Sequence, residues 1–313
     1  MITVRKTLVL LPLLASFSLP GCSEIMNALS LSTPTEPPVE TLPQVTVTVP
    51  VTTVPETTLP LLTGWVDENG SRYYYDENGI PTVGWLDMDG ETYYFHEDGT
   101  MATGEVVIGS TTFHFTSQGK RIVMVNPWNF VPDDYVLDLV YLGTDCAVEG
   151  SQVQRACYDD LVAMITDCNK VCPQAKVVSA YRSHDLQTRN YNNRVQSYVN
   201  QGYSLEEAKA QTGQVIAIPG TSEHELGLAV DIIDTRLWAL EWEQADLPAQ
   251  QWLMENCWKY GFILRYPQDK IEVTGIIYEP WHYRYVGHEL AAELHESGMT
   301  LEEYIYSLTD AVG

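Results

Sequence analysis

The chain has 313 residues, of which 45% are hydrophobic and 19% are charged, and this length and composition are typical of a globular protein with more than one domain. Its 42 Asp and Glu residues outnumber its 17 Lys and Arg residues, which gives a formal net charge of -25. Because so acidic a surface repels phosphate backbones, the composition argues against nucleic acid as a partner.

Residues 1–22 predict an export signal. A short basic head, MITVRK, precedes the apolar run TLVLLPLLASFSL, which is too short to span a bilayer. The run leads into LPGC, so the segment resembles a bacterial lipoprotein signal peptide, in which Cys22 becomes the lipidated first residue. The resemblance implies a lipid anchor on the outer face of the cytoplasmic membrane. A plain signal peptide cut at another position is the alternative.

Residues 23–62 predict an extended linker. Pro, Thr and Val dominate the stretch from residue 31 onward, and aromatic residues are absent from it. Because its prolines block a helix and interrupt any strand ladder, we expect a semi-stiff tether. Behind a lipidated Cys22, this tether would hold the following domains away from the membrane.

Residues 63–120 contain an internal repeat with a period of about 20 residues. TGWVDENGSRYYYDENGIP is followed by VGWLDMDGETYYFHEDGTM and by a third, more divergent copy, TGEVVIGSTTFHFTSQGKR. Each unit has a short aromatic or apolar run beside a turn sequence such as Asn-Gly or Asp-Gly, which predicts a β-hairpin. Because one hairpin cannot bury its own aromatic face, we expect the hairpins to stack.

These units resemble the choline- or glucan-binding repeats of Gram-positive surface proteins. In the choline-binding kind, Trp and Tyr side chains of neighbouring hairpins surround a quaternary ammonium group. The resemblance implies a site for choline or wall glycan, with the candidate residues Trp65, Tyr74, Trp85 and Tyr94. The position that often holds a second Trp is Arg72 in one copy and Thr92 in the next. In the alternative interpretation, the aromatic residues only hold the hairpins together.

Residues 121–313 predict a mixed domain of helices and strands. We expect a strand leading into a loop at 121–130, helices at 152–172 and 184–200, and strands at 175–182, 227–233 and 278–287. The pairs Ser204 with Glu207 and Thr300 with Glu303 predict capping boxes at two further helices. Because the elements do not alternate as regular βαβ units, the pattern favours an α+β fold.

Five cysteines follow Cys22, and the sequence leaves their pairing open. They are Cys146, Cys157, Cys168, Cys172 and Cys257. Export permits disulfides, but an odd number leaves at least one thiol unpaired within the chain. The helical spacing of Cys157, Cys168 and Cys172 favours thiols packed on a buried helix face over a structural zinc site.

The stretch SEHELGLAVDI predicts part of a metal site. In a strand, Val230 and Ile232 point to one face and Asp231 to the other. A carboxylate among aliphatic residues needs a partner, and a metal ion would serve. Gly227 can bend the chain so that His224, just before the strand, reaches the same point.

The stretch YEPWHYRY offers a third ligand, His282. Two histidines and an aspartate suit Zn²⁺ with an open fourth position. Glu279, three residues earlier, is placed to take a proton from a water at that position. The other histidines are interpreted as ordinary surface or core residues: His96, His114, His184, His288 and His295.

Three motifs in order, S-x-Y-R-S-x-x-x-Q, S-x-H-x-x-G-x-A-x-D and E-P-W-H-Y-R, resemble the signature of the VanY-type zinc D-alanyl-D-alanine carboxypeptidases over about residues 120–313. The resemblance implies a small antiparallel sheet flanked by helices, the zinc DD-peptidase fold, and a metallo- rather than a serine-type enzyme. It implies that His224, Asp231 and His282 hold one zinc ion, that Glu279 is the catalytic base and that Arg182 stabilises the carbonyl oxygen as it becomes charged. It also implies a substrate pocket lined by Ser179, Tyr181, Ser183, Gln187 and Ser222.

We therefore expect a wall-facing zinc carboxypeptidase that removes the C-terminal D-alanine from peptidoglycan stem peptides. Two alternatives remain open from the sequence. One is an L,D-carboxypeptidase that acts on tetrapeptide stems, because residue types do not reveal stereochemistry. The other is a non-catalytic wall-binding protein with a zinc-stabilised second domain, although the presence of Glu279 argues against it.

Overall fold

The computed structural model describes residues 61–310. The predicted signal peptide, with Cys22, and nearly all of the predicted linker lie outside the described residues. Within the described part, no helix is long and apolar enough to cross a bilayer.

The predicted repeat region forms three β-hairpins. They pair β1 (Gly64–Glu68) with β2 (Ser71–Tyr75), β3 (Gly84–Met88) with β4 (Glu91–Phe95), and β5 (Gly104–Ile108) with β6 (Thr111–Phe115). In the first two turns, both central residues have positive φ: 52° and 82° at Asn69 and Gly70, and 54° and 81° at Asp89 and Gly90. Two successive positive φ values define the type I′ turn that matches the twist of a hairpin, and the hairpin prediction is confirmed.

After each hairpin the chain turns back and pairs with the strand it has just left. Pro81 bridges to the end of β2 and Met101 to the end of β4. After the third hairpin, the two-residue strand β7 (Arg121–Ile122) pairs with β6, so that Arg121 takes the position that Pro81 and Met101 hold in the earlier units. The next residue, Ile122, packs in the core of the following domain. Strand β7 thus belongs to both parts of the molecule.

The following domain is built around one four-stranded antiparallel sheet, whose strands in spatial order are β10 (Ala175–Ser179), β11 (Ala229–Asp234), β13 (His282–Tyr285) and β12 (Phe262–Leu264). Two further strands, β8 (Leu139–Tyr141) and β9 (Gln152–Gln154), form a separate two-stranded sheet. The helices of the domain are α1 (Arg155–Val171), α2 (His184–Asn200), α3 (Leu205–Gly213), α4 (Pro248–Asn256), α5 (Ile271–Thr274), α6 (His288–Ser297) and α7 (Leu301–Asp310). Short 3-10 helices span Glu223–Leu226, Trp242–Asp246 and Cys257–Tyr260. The predicted α+β class is confirmed.

Helix boundaries agree with the sequence where a cap defines them. Helix α2 occupies the predicted residues 184–200, and the hydroxyl of its N-cap Ser183 accepts from the backbone N–H of Leu186 at 3.3 Å. Both predicted capping boxes are present, at α3 and α7. The helix predicted over 152–172 is shorter, because residues 152–154 form β9 and pair with β8.

The buried face of α1 carries the predicted cysteines. Cys157 and Cys168 are fully buried there with Leu161 and Met164, in the core between α1, α4 and the sheet. Cys172, at the end of the helix, is half-buried. All five cysteines from Cys146 onward are free thiols. The packing prediction for Cys157 and Cys168 is therefore confirmed.

The two faces of the sheet differ in chemistry. Val230, Ile232 and Tyr283 point into the apolar core. Because side chains alternate along a strand, Asp231 and His282 point to the opposite face. The sheet therefore separates its apolar core from a layer of buried ionisable groups.

Candidate metal centre

Asp231 and His282 are directly opposite partners in the antiparallel pair β11–β13. Directly opposed residues share a face and bring their Cβ atoms within about 5.5 Å. The two side chains accordingly meet: Oδ1 of Asp231 lies 3.3 Å from Nδ1 of His282, and both residues are buried.

His224 reaches the same point from the 3-10 helix before β11. Gly227 ends that helix with φ of 70°, and a Cβ there would lie 3.1 Å from the backbone nitrogen of Gln154. The turn directs Nε2 of His224 to 3.3 Å from Oδ2 of Asp231. Its Nδ1 lies 2.8 Å from the carbonyl oxygen of Ala180. Because that oxygen can only accept, Nδ1 carries the proton and the Nε2 lone pair faces Asp231.

These three side chains fit a metal ion. One ligand atom from each of His224, Asp231 and His282 lies within 4.8 Å of the other two. The two imidazole rings are nearly perpendicular, with centroids 5.0 Å apart. Oδ1 of Asp231 is buried and has no hydrogen-bond partner. Two imidazole nitrogens and a carboxylate are a donor set that zinc accepts with a fourth position open.

A buried ion-pair cluster lies behind His282. Oε1 of Glu223 accepts from Nε of Arg265 and from Nη1 of Arg284, both at 2.8 Å, and Arg265 also binds Glu302. Burial alone would raise the pKa of Glu223, but the two guanidinium groups hold it well below its usual range. The two cations and two carboxylates balance, so the cluster adds no net charge to the centre.

Glu223 also orients His282. Its Oε2 lies 3.5 Å from Nε2 of His282, which is longer than a regular hydrogen bond, and neither atom has another hydrogen-bond partner among the described residues. A carboxylate at this position favours the proton on Nε2 and leaves the lone pair of Nδ1 directed at Asp231. The two carboxylates on either side of the ring overcome the effect of burial and raise the pKa of His282 to about 9, so a metal ion that binds through Nδ1 would displace a proton from it.

Glu279 is placed beside this centre by a tight turn. The backbone N–H of His282 donates to the carbonyl oxygen of Glu279 at 3.1 Å, with Pro280 as the second residue of the turn. Oε2 of Glu279 lies 3.6 Å from Nδ1 of His282, and the side chain is 12% exposed. Burial raises the pKa of Glu279 to about 8, and the charge of Asp231 acts in the same direction.

Arg182 lies on the other side of Asp231. Its Nη2 is 3.8 Å from Oδ2 of Asp231 and donates to the hydroxyl of Ser179 at 3.0 Å. Its Nη1 donates to Oε1 of Gln187 at 2.7 Å. Gln187 is fully buried, and its amide nitrogen donates to the carbonyl oxygen of Ala217 at 2.6 Å. Gln187 therefore fixes the guanidinium of Arg182.

The remaining predicted pocket residues lie near these groups, with different surroundings. The hydroxyl of Ser183 already caps α2. Tyr181 is half-buried, and its backbone N–H donates to the carbonyl of Gln152 at 2.8 Å. Ser222 is 3% exposed and directly precedes Glu223.

Of the four candidate aromatic residues of the repeats, Trp65 and Trp85 lie at contacts between hairpins, and Tyr74 and Tyr94 pack against them within the same hairpin. Each Trp packs edge-on against the Tyr of its own hairpin and against an aromatic ring of the next. Trp65 lies 5.2 Å from Tyr74 and 5.1 Å from Tyr93, and Trp85 lies 5.0 Å from Tyr94 and 4.8 Å from Phe113. The stacking predicted from the aromatic faces is confirmed.

Sequence reasoning missed the Glu223 cluster. Glu223 and Arg284 both lie inside motifs that the sequence singles out, next to His224 and His282, but neither carries a role in that reasoning. The available signal was a charged residue close to each histidine ligand: Glu223 directly before His224, and Arg284 two residues after His282. Their partners Arg265 and Glu302 come from distant segments with no recognisable motif.

The antiparallel sheet with its flanking helices and the three converging ligand atoms fit a metal-dependent hydrolase. The chain belongs to the VanY family of D-alanyl-D-alanine carboxypeptidases, which matches residues 150–288. A choline-binding repeat matches residues 82–124, and a cell wall binding repeat matches residues 63–80.

Three relatives illustrate the similarity. A D-alanyl-D-alanine carboxypeptidase of Enterococcus faecalis is 38% identical over 184 residues, which cover 59% of this chain and 65% of that protein. The chain thus matches just under two thirds of the length of this relative. A crystal structure of the vancomycin resistance D,D-pentapeptidase VanY, from the VanB-type cassette and in complex with Zn(II), is 37% identical with a TM-score of 0.52. It aligns with 58% of this chain and 97% of its own. VanYB in complex with D-alanine-D-alanine is 36% identical with a TM-score of 0.53, over 59% of this chain and 96% of its own.

Proposed function

We propose that the protein is a zinc-dependent D-alanyl-D-alanine carboxypeptidase that removes the C-terminal D-alanine from peptidoglycan stem peptides. The observation that carries this proposal is the convergence of His224, Asp231 and His282 on one point, with the free carboxylate of Glu279 beside it. Membership of the VanY family supports the same substrate class.

The metal-binding residues are His224 through Nε2, Asp231 through its carboxylate, and His282 through Nδ1. A zinc ion at this site would supply Lewis-acid chemistry, polarising the scissile carbonyl and making a water molecule more acidic. The hydrogen bond from His224 to Ala180 and the contact of His282 with Glu223 hold the two rings in the orientation and tautomer that binding requires.

Glu279 acts first as general base and then as general acid. In its ionised form it accepts a proton from the attacking water, and in its neutral form it gives that proton to the amine of the departing D-alanine. A general base works best when its pKa is close to the working pH. Burial raises the pKa of Glu279 to about 8, and the positive charge of a bound zinc ion would act in the opposite direction and favour the ionised form that serves as base.

Arg182 stabilises the transition state. Its guanidinium is held by Ser179 and Gln187, so it need not reorganise when charge develops on the peptide carbonyl oxygen. Tyr181, Ser183 and Ser222 complete the proposed pocket for the last residue of the peptide.

A product assay tests the proposal. The purified protein is incubated with a stem pentapeptide ending in D-Ala-D-Ala and, separately, with the tetrapeptide, and the products are separated by chromatography. We expect release of one D-alanine from the pentapeptide, its loss on treatment with a chelator and its recovery with Zn²⁺. Cleavage of the tetrapeptide alone would identify an L,D-carboxypeptidase. No cleavage of either peptide by zinc-loaded protein would contradict the proposal and favour a non-catalytic wall-binding role.

We further propose that the protein is exported and anchored outside the cytoplasmic membrane through a lipid on Cys22. The LPGC sequence at the end of the apolar run supports this anchor. Mass spectrometry of the mature N-terminus tests it, and Cys22→Ala is expected to release the protein from the membrane fraction. Membrane retention of the Cys22→Ala variant would contradict a lipid anchor.

The repeats complete this arrangement by holding the catalytic domain at the cell wall. Sequence similarity to choline-binding and cell-wall-binding repeats supports this role, with choline or wall glycan as the candidate ligand. Co-sedimentation with purified cell walls tests it, and deletion of residues 63–103 with retention of the third hairpin is expected to weaken sedimentation.

A further inference from the structure

Each tryptophan of the repeats lies beneath a guanidinium group of the same chain. Cζ of Arg72 is 4.8 Å from the ring centroid of Trp65. Cζ of Arg121 is 5.5 Å from the centroid of Trp85 and 4.9 Å from that of Phe113. These distances lie within the range of cation–π attraction, which extends to about 6 Å.

Polar contacts hold the first guanidinium in place. Nε of Arg72 lies 3.4 Å from Oδ1 of Asp67 on the paired strand. Its Nη1 donates to Oε1 of Gln118, in the third repeat, at 3.1 Å. The guanidinium thus contacts an aromatic ring, a carboxylate and an amide, with one hydrogen bond, to Gln118.

The second guanidinium is held more tightly. Nη1 and Nη2 of Arg121 donate to the two carboxylate oxygens of Asp134, at 3.0 and 3.1 Å. The side chain of Arg121 is 13% exposed. This paired geometry fixes the plane of the guanidinium, which a single contact would leave free to rotate.

The two arginines reach their rings from different positions in the repeat. Arg72 lies on β2 of the first unit, and the corresponding residue of the second unit is Thr92, whose hydroxyl donates to Asp87 at 2.7 Å. The guanidinium above Trp85 comes instead from Arg121 on β7. A cation therefore lies above both Trp65 and Trp85, although of the first two repeat units only the first has an arginine at the position of Arg72.

A quaternary ammonium ligand would need the aromatic faces that these guanidinium groups cover. It would also meet a positive charge within a few ångströms, and like charges this close repel. We propose that Arg72 and Arg121 are specificity-determining residues. They prevent quaternary ammonium ligands such as choline from binding at the rings of Trp65 and Trp85. The inference deepens the proposed wall-binding role, and it leaves wall glycan as the ligand class of the repeats.

Titration with choline, followed by tryptophan fluorescence and calorimetry, tests this inference on the full chain. The wild type is expected to give no saturable signal. The double variant Arg72→Ala with Arg121→Ala uncovers both rings and is expected to bind choline saturably, with an affinity at least about tenfold above the weakest that the titration detects. The matched variants Arg72→Lys and Asp134→Asn keep a cation near each ring and are expected, like the wild type, not to bind choline saturably.

Two results would overturn the inference. One is saturable choline binding by the wild type with both arginines intact. The other is a double variant that gains no affinity although its near-ultraviolet circular dichroism shows ordered aromatic clusters. If that spectrum is lost, Arg72→Gln and Arg121→Gln, which retain most of the side-chain volume, provide the same comparison. D-Alanine release, measured on the same preparations, reports separately on the proposed peptidase activity.

Discussion

Asp231 and His282 are directly opposite partners on neighbouring strands, so the register of β11 against β13 determines the geometry of the candidate metal centre. A shift of one residue would turn Asp231 toward Val230's side of the sheet and separate it from His282. A metal ion bound by both residues would therefore favour the native pairing of these strands.

Removal of zinc is expected to lower the thermal stability of the protein. A ligand that binds only the folded state stabilises it by about 4 kcal/mol at a thousandfold excess over its dissociation constant. Differential scanning fluorimetry should show a lower Tm after chelation and recovery with Zn²⁺. In Asp231→Ala, the Tm should not respond to Zn²⁺. An unchanged wild-type Tm after measured loss of metal would contradict this coupling.

Replacement of Glu279 by Gln is expected to remove turnover while leaving the metal in place. The amide cannot accept the proton of the attacking water, and loss of such a group costs about 10²–10⁴-fold in kcat. D-Alanine release gives kcat, and elemental analysis gives the zinc content. Glu272→Gln, an exposed substitution on α5, is the control and should leave both values unchanged. Full activity of Glu279→Gln would exclude the proposed role.

Replacement of Glu223 by Gln is expected to affect both stability and metal affinity. Removing one partner of a buried ion pair costs about 3–5 kcal/mol, because the remaining charges lose their compensation. Loss of the carboxylate behind His282 should also weaken zinc binding by about 10–100-fold. Urea unfolding measures the first effect, and competition with a zinc-binding dye measures the second.

Glu302→Gln provides the matched comparison for Glu223→Gln. Glu302 is fully buried and pairs with Arg265, but it makes no contact with His282. It should therefore lower the free energy of unfolding to a similar extent while zinc affinity stays close to that of the wild type. Equal losses of zinc affinity in both variants would show that Glu223 acts only through stability.

Replacement of Arg182 by Lys is expected to reduce kcat although the positive charge remains. A lysine cannot bind Ser179 and Gln187 at once while also facing the substrate oxygen. Loss of a preorganised donor of this kind costs about 10²–10³-fold in kcat. Steady-state kinetics on the pentapeptide measure the change, with the exposed Arg189→Lys on α2 as control. A changed KM with an unchanged kcat would point to ground-state binding instead.

Thiol reactivity should single out Cys172 among the described cysteines. Burial raises the pKa of Cys146, Cys157, Cys168 and Cys257 to about 12, so these thiols stay protonated at neutral pH. Cys172 is half-buried at the end of α1. Brief alkylation of the native protein, with peptide mass spectrometry to locate the label, should modify Cys172 first. Equally fast labelling of Cys157 would contradict the buried position of that thiol.

Local signals in the sequence were sufficient for much of the fold. The two-residue turns at Asn69-Gly70 and Asp89-Gly90 need positive φ values that Gly and Asn or Asp tolerate, and the hairpins follow from them. The capping pair of Ser204 and Glu207 likewise defines the start of α3. By contrast, β9 could not be distinguished from α1, because its three residues become a strand only when they meet β8.

The same distinction applies to the candidate site. Motifs bring His224, Asp231, His282 and Glu279 to attention through their spacing, and the structure brings these side chains together. The position of Glu223 depends on Arg265, which lies 42 residues further along the chain, and no local pattern connects the two. The cation above Trp85 was equally hidden, because Arg121 lies outside the repeat position of Arg72 and is placed above its ring by the pairing of β7 with β6.

Strand β7 has a mechanical consequence. Arg121 pairs with the last hairpin, while its neighbour Ile122 is anchored beside Ile263 and Leu290, so no hinge separates the two regions there. Tension applied to the repeats would pass through two consecutive residues into the sheet that carries Asp231 and His282. Whatever surface the hairpins bind would then also fix the orientation of the candidate metal centre.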